Sequence, residues 1–205
     1  MSYHAILAAT AVTIDILGYF PYVRNILRNK TKPHAFSWFI WTLLTGIAFF
    51  AQIQEGAGAG AWVTLASTLA CAFIAAMSYY KWGISYVTRL DWLCLGGALL
   101  GIAVWAITNN PLAAVVIVTV TDAVGFFPTF RKGYDKPYEE TAITFAANSV
   151  KFAFGILALE TVNPATWLYP ASLVLTNGAF VVLLLARRSQ IPPEKGASTI
   201  KQTFK

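Results

Sequence analysis

The sequence predicts an all-α membrane protein. It has seven transmembrane helices in two parallel three-helix repeats joined by a linker helix, with the N-terminus outside and the C-terminus cytoplasmic. Three observations predict it. Of 205 residues, 57% are hydrophobic and only 12% charged, and the mean hydropathy is +0.59; a soluble domain carries about 25% charged residues. Seven apolar stretches, near 4–27, 35–54, 58–80, 88–107, 111–130, 139–159 and 164–186, approach the roughly 20 residues that cross a hydrocarbon core. Finally, Asp15, Gly18, Phe20 and Pro21 return at the same spacing as Asp122, Gly125, Phe127 and Pro128.

Each stretch is expected to be helical, because lipid offers no partner to open backbone groups. The first lacks a basic leader and carries Asp15 inside it, so it reads as a span and not a cleavable signal. It ends in Arg24, Arg28, Lys30 and Lys32. The second and third are joined by a stretch without Lys or Arg, and Lys81 and Arg89 flank the third connection. The fourth span carries Gly97 and Gly101 at a spacing that permits close helix approach. The fifth runs into Arg131, Lys132 and Lys136. The sixth and seventh are joined without a basic residue, and the seventh leads to Arg187 and Arg188. Basic residues mark cytoplasmic connections, which sets the orientation. The net charge of +6 therefore records topology and is no sign of nucleic acid.

The duplication divides the chain into a first repeat (1–80), a linker helix (81–109), a second repeat (110–188) and a basic tail (189–205) that reads as a solvated end. Three helices end on the side opposite their start, so a fourth crossing makes the repeats parallel, a known carrier plan. Further matches support it. Arg24 aligns with Arg131, Lys32 and Pro33 with Lys136 and Pro137, Ser37 with Thr141, and Trp62, Ala66 and Ser67 with Trp167, Ala171 and Ser172.

A proline closing the first helix, a basic turn and a Ser-Trp pair opening the second helix (Pro21, Ser37, Trp38) resemble the PQ-loop superfamily, which includes the SWEET sugar facilitators and cystinosin-type exporters. The resemblance spans nearly the whole chain. It implies the 3+1+3 plan and alternating-access movement of a small polar solute such as a sugar or an amino acid. In SWEET proteins an asparagine on the third helix of each repeat binds substrate. Asn177 is similar in kind and depth, with Ala70 or Ala72 as its first-repeat counterpart. The glutamine of the name motif is Tyr22 in one copy and Thr129 in the other.

Ionisable groups inside hydrocarbon are expensive and mark candidate sites. They are Asp15, Asp122 and Lys151. Asp122 lies nine residues before Arg131, roughly 13 Å of helix, and Lys151 twelve after Glu139, roughly 18 Å, so both sit near mid-depth. A Lys151–Asp122 pair is feasible within the second repeat, either as a structural tie or as a pair that opens for solute or a proton. Position 47, equivalent to Lys151, is Ile, so Asp15 is expected to be the freer acid and a candidate proton site. Thr141, Thr144, Asn148 and Lys151 form one polar helical face; the matching face of helix two, Ser37, Ile40, Leu44 and Ile47, is mostly apolar. Asn177, Asn148, Lys151, Thr144 and Ser172 are the candidate solute contacts. Pro21 and Pro128 are candidate hinges, since each removes a helical hydrogen bond, and Tyr22 and Thr129 extend the aspartate face toward the cytoplasm. Tyr19, Phe20, Phe126 and Phe127 flank the prolines as gates or as core, and His34 reads as exposed.

The reading is a multi-pass carrier with a small-molecule solute, the lipid bilayer and possible proton coupling; it leaves room for a homo-oligomer. Short loops and spare termini point to a bacterial inner membrane. An alternative is a seven-helix sensor or receptor without transport. A retinal-type lysine sits on the last helix, whereas Lys151 is on the sixth. No enzyme motif, cofactor motif or metal-ligand spacing is found, and Cys71 and Cys94 read as small buried residues.

Overall fold

A chain this apolar must satisfy its backbone internally, and the computed structural model does so with helices alone among its described residues, 2–29, 33–84, 87–138 and 140–191. The helices are α1 (Tyr3–Leu27), α2 (Ala35–Gln54), α3 (Ala59–Trp82), α4 (Arg89–Thr108), α5 (Pro111–Asp135), α6 (Ala142–Leu157) and α7 (Pro164–Gln190). All but α6 are long and apolar enough to cross a membrane.

Local chemistry fixes the helix starts. Ser2 Oγ accepts from the Ala5 amide at the head of α1. Thr88 and Asp91 form a capping box on α4. Asn110 and Asn163 cap α5 and α7, each followed by a proline at the first helical position, where a missing N–H costs nothing. Pro21, Pro128 and Pro170 lie inside α1, α5 and α7, which continue past them.

Three boundaries differ from the sequence expectation. The sixth span, expected over 139–159, is a helix of 16 residues, about 24 Å long. It stops at Leu157 because Ala158 and Leu159 turn back, their amides bonding to Phe154, Gly155 and Ile156 carbonyls. α5 runs to Asp135 because Gly133 is tucked under Phe180 and Leu184 of α7. α7 reaches Gln190, past the expected tail start at Ser189, because Arg187 Nε donates to Tyr134 O and Arg188 to Pro137 O. The rest of the tail, 192–205, lies outside the described residues.

Packing follows a pattern. α3 lies against both α1 and α2, and α7 against both α5 and α6. The two groups meet along two seams, α1 with α6 and α2 with α5, and α4 covers α2 and α5. Gly97 and Gly101 of α4 face Thr121 and Val118 of α5, so the small-residue spacing is used for packing. The largest core cluster spans the α2–α5 side, with Leu44, Ile47, Val115, Val118 and Tyr169 buried. Burying such side chains contributes about 1.5–3 kcal/mol each against water. Between helices in lipid, close packing must supply the attraction instead.

Candidate functional site

Polar groups inside an apolar bundle must face one another or a cavity. Here they do both. A cavity of about 490 Å³ lies between the helices, open at the end that carries the α1–α2, α3–α4 and α5–α6 connections. Its mouth is lined by His34, Ser37, Asp91, Lys132 and Glu140, and its depths by Asp122, Asn148, Lys151, Tyr169 and Asn177. Trp38 and Trp41 form part of one wall, with ring centroids 5.1 Å apart.

The opposite end is closed by the α2–α3 and α6–α7 corners. Glu160 N donates to Ala57 O at 3.0 Å, and Ala59 N donates to Glu160 Oε1 at 3.2 Å. Asn163 Nδ2 donates to Glu55 Oε2 at 2.8 Å, and the buried Gln52 donates through Nε2 to Thr166 O at 2.7 Å. Gly58 makes this corner possible. Its φ is +61°, and a Cβ there would fall 2.2 Å from the Glu160 carboxyl carbon.

The charged centre corrects the sequence expectation. Lys151 Nζ is bonded to Asp15 of α1, not to Asp122. Lys151 is fully buried and Asp15 nearly so. The rings of Tyr19 and Phe152 lie 4.9 and 4.8 Å from the same Nζ. The expectation assumed that neighbours in sequence are neighbours in space. Instead α7 sits between α5 and α6, and α6 packs on α1. A close approach supports that seam: Gly18 faces Ala147, where a Cβ on residue 18 would fall 2.6 Å from the alanine methyl. Thr144 Oγ1 donates to Gly18 O at 3.3 Å beside it.

Asp15, expected to be the freer acid, is therefore the paired one. Asp122 is the unpaired acid. It is 2% exposed, its Oδ2 has no hydrogen-bond partner, and no Lys, Arg or His among the described residues pairs with it. Ile47 of α2, which the sequence duplication aligns with Lys151, is buried.

The other candidates divide. Asn148, Thr144, Asn177, Tyr22, Thr129 and Pro128 line the cavity; Pro21 and Ser172 do not. Ser172 Oγ donates to Tyr169 O of its own helix at 2.8 Å, a bond that keeps it local. The aromatics beside the prolines split alike in both copies: Tyr19 and Phe126 are buried, whereas Phe20 and Phe127 are mostly exposed on the outer surface and form no gate. His34 is partly buried, not exposed; its Nδ1 lies 2.8 Å from Ser37 Oγ, which donates to Asp91 Oδ1 at 3.1 Å.

Sequence reasoning missed Gln52, Glu55, Glu160 and Asn163 as closing contacts. The signal for Glu55, Glu160 and Asn163 was polarity at connections without a basic residue, and for Gln52 an amide in the last turn of an apolar span. It also missed Trp38 and Trp41 as cavity wall, which nothing separates from other aromatics of a span. No family model, no curated protein and no solved structure matches the chain.

Proposed function

We propose that this protein is a secondary carrier of a small polar solute, built as two like three-helix halves joined by α4 and related to the PQ-loop carriers. The observation that carries the reading is the cavity. It is bounded by helices of both halves, reaches the partly buried Asn148 and the buried Lys151, Asp122 and Asn177, opens at one end and is sealed at the other by hydrogen-bonded corners. Such a shape suits one state of an alternating-access cycle, in which the corners part as the mouth closes.

The halves are supported by matched packing. In each, the third helix lies between the other two, and the seams α1–α6 and α2–α5 are equivalent under the exchange. The open end carries Arg24, Arg28, Lys81, Arg131 and Lys132, which favours a cytoplasmic mouth with the N-terminus outside. Proton coupling, in this reading, rests on the buried acids Asp15 and Asp122.

The test is a thermal-shift screen of the detergent-purified protein against sugars, amino acids, nucleosides and small carboxylates, followed by counterflow of each hit in proteoliposomes. Binding to the native state raises apparent stability. The carrier reading expects a hit that exchanges across the bilayer and is weakened by Asn148→Ala. A hit that binds without counterflow favours the sensor reading.

A further inference from the structure

We propose that Asp122 and Asn177 form a subsite for a protonated amine carried by the solute. This rests on the carrier reading and adds the class of solute. Both residues line the cavity and are nearly fully buried, at 2% and 3% exposure. Each ends in an acceptor without a partner, Oδ2 of Asp122 and Oδ1 of Asn177. The amide orientation has a reason: Nδ2 donates to Leu173 O at 2.9 Å, a bond only the NH₂ end can make. The oxygen is therefore the end left for a ligand.

The two acceptors face the same cavity from packed helices. Phe126 lies one turn beyond Asp122 on the same face of α5, and Phe180 lies three residues beyond Asn177 on the same face of α7. Those two rings meet with centroids 5.9 Å apart. Farther along, Arg187 Nε donates to Tyr134 O at 3.0 Å, which holds the same register. Asp122 and Asn177 thus both lie one turn deeper than the Phe126–Phe180 contact, on two helices packed against each other, and both line the one cavity.

Charge selects the ligand. The Lys151 ammonium is matched by Asp15, and Lys132 at the mouth by Glu140 at 2.7 Å. Asp122 has no counter-charge among the described residues. A buried acceptor left without a donor is costly, the more so when charged. An ammonium group offers three donors and one positive charge. Its charge answers the Asp122 carboxylate, and its further donors are available to Asn177 Oδ1 and to water. A hard metal cation is a poorer match, since it takes six or more oxygen ligands and no metal-holding cluster of His, Cys, Asp or Glu is found among the described residues.

The test uses purified full-length protein and solute pairs differing in the amine: glucosamine with glucose, ethanolamine with ethylene glycol, and alanine with lactate. Binding is followed by thermal shift and calorimetry. At least one amine is expected to bind about tenfold or more tightly than its partner, the scale of one charge-assisted hydrogen bond. Asp122→Asn should remove that preference, and Asn177→Asp, which keeps an acceptor, should retain it; the unliganded melting temperature of each variant shows that it folds. Equal binding within every pair, an amine preference that survives Asp122→Asn, or no amine binding at all overturns the subsite. If a neutral or anionic compound then binds and is lost in Asn148→Ala, the carrier reading stands without it. If no compound of any class binds or exchanges, both readings fall.

Discussion

Lys151 of α6 and Asp15 of α1 form a buried ion pair across the α1–α6 seam, whereas Asp122 of α5 has no charged partner among the described residues and Ile47, which the proposed repeat matches to Lys151, is apolar. One seam is tied by charge. The other leaves a lone acid facing a cavity. Several consequences of this asymmetry are measurable.

Removing one member of a buried pair strands the other. Asp15→Asn is therefore expected to lower stability by about 3–5 kcal/mol, whereas Asp122→Asn, which breaks no pair, should stay within about 1 kcal/mol of the parent. The double variant Asp15→Leu/Lys151→Met should recover most of the loss, since a buried pair is often replaced by apolar groups at little cost. Denaturation of the purified protein in mild detergent measures all three. Equal losses for the two aspartate variants contradict the assignment of partners.

Ile47→Lys tests the relation between the seams. Under the proposed repeat relation it places an ammonium on α2 toward Asp122, as Lys151 stands opposite Asp15. The variant is expected to fold in the parent background and to be destabilised by about 3 kcal/mol or more when combined with Asp122→Asn, because the new lysine then has no partner. A double-mutant cycle on melting data reads the coupling. Additive effects contradict the equivalence of the two positions.

The α1–α6 seam also depends on close backbone approach. Gly18→Ala adds a methyl that meets Ala147 at 2.6 Å, an overpacking expected to cost about 1–3 kcal/mol. Ala147→Gly in the same chain should return most of it. If the double variant is no better than Gly18→Ala alone, the contact is not the cause.

At the sealed end, Gln52→Leu leaves Thr166 O without its side-chain donor. The corners are then held less firmly, and the balance should move toward opening there. A cysteine at the buried Ser67, in a chain lacking Cys71 and Cys94, is expected to react several-fold faster with a membrane-impermeant thiol reagent added from the sealed side. An unchanged rate shows that this bond does not hold the corner shut.

Much of the fold was legible because membrane helices announce themselves by length and apolar composition. Six of the seven spans meet that standard. The sixth falls short because the chain turns back at Ala158, with Leu159 packed against Gly60, a tertiary contact with no local signature. The candidate site was half legible. Intramembrane Lys151, Asp122, Asn148 and Asn177 stand out in any apolar run, and all four line the cavity. Partner choice was not legible, because it depends on which helices touch. Sequence order makes α5 and α6 neighbours, while the bundle inserts α7 between them and sets α6 against α1. The closing residues Glu55, Glu160 and Asn163 were hidden for another reason: polar residues in a connection are ordinarily just solvated.

The most direct test of the central claim is a pair of spin-label distances in liposomes, measured in a chain lacking Cys71 and Cys94. One pair, at the exposed positions Arg28 and Asp135, spans the open end, and the other, at Ile53 and Val162, spans the sealed end. The account predicts two populations that shift in opposite senses, the first distance shortening as the second lengthens when a bound solute is added. A single, unchanging distance at both ends, with solute shown to be bound, contradicts alternating access and leaves a fixed binding protein in its place.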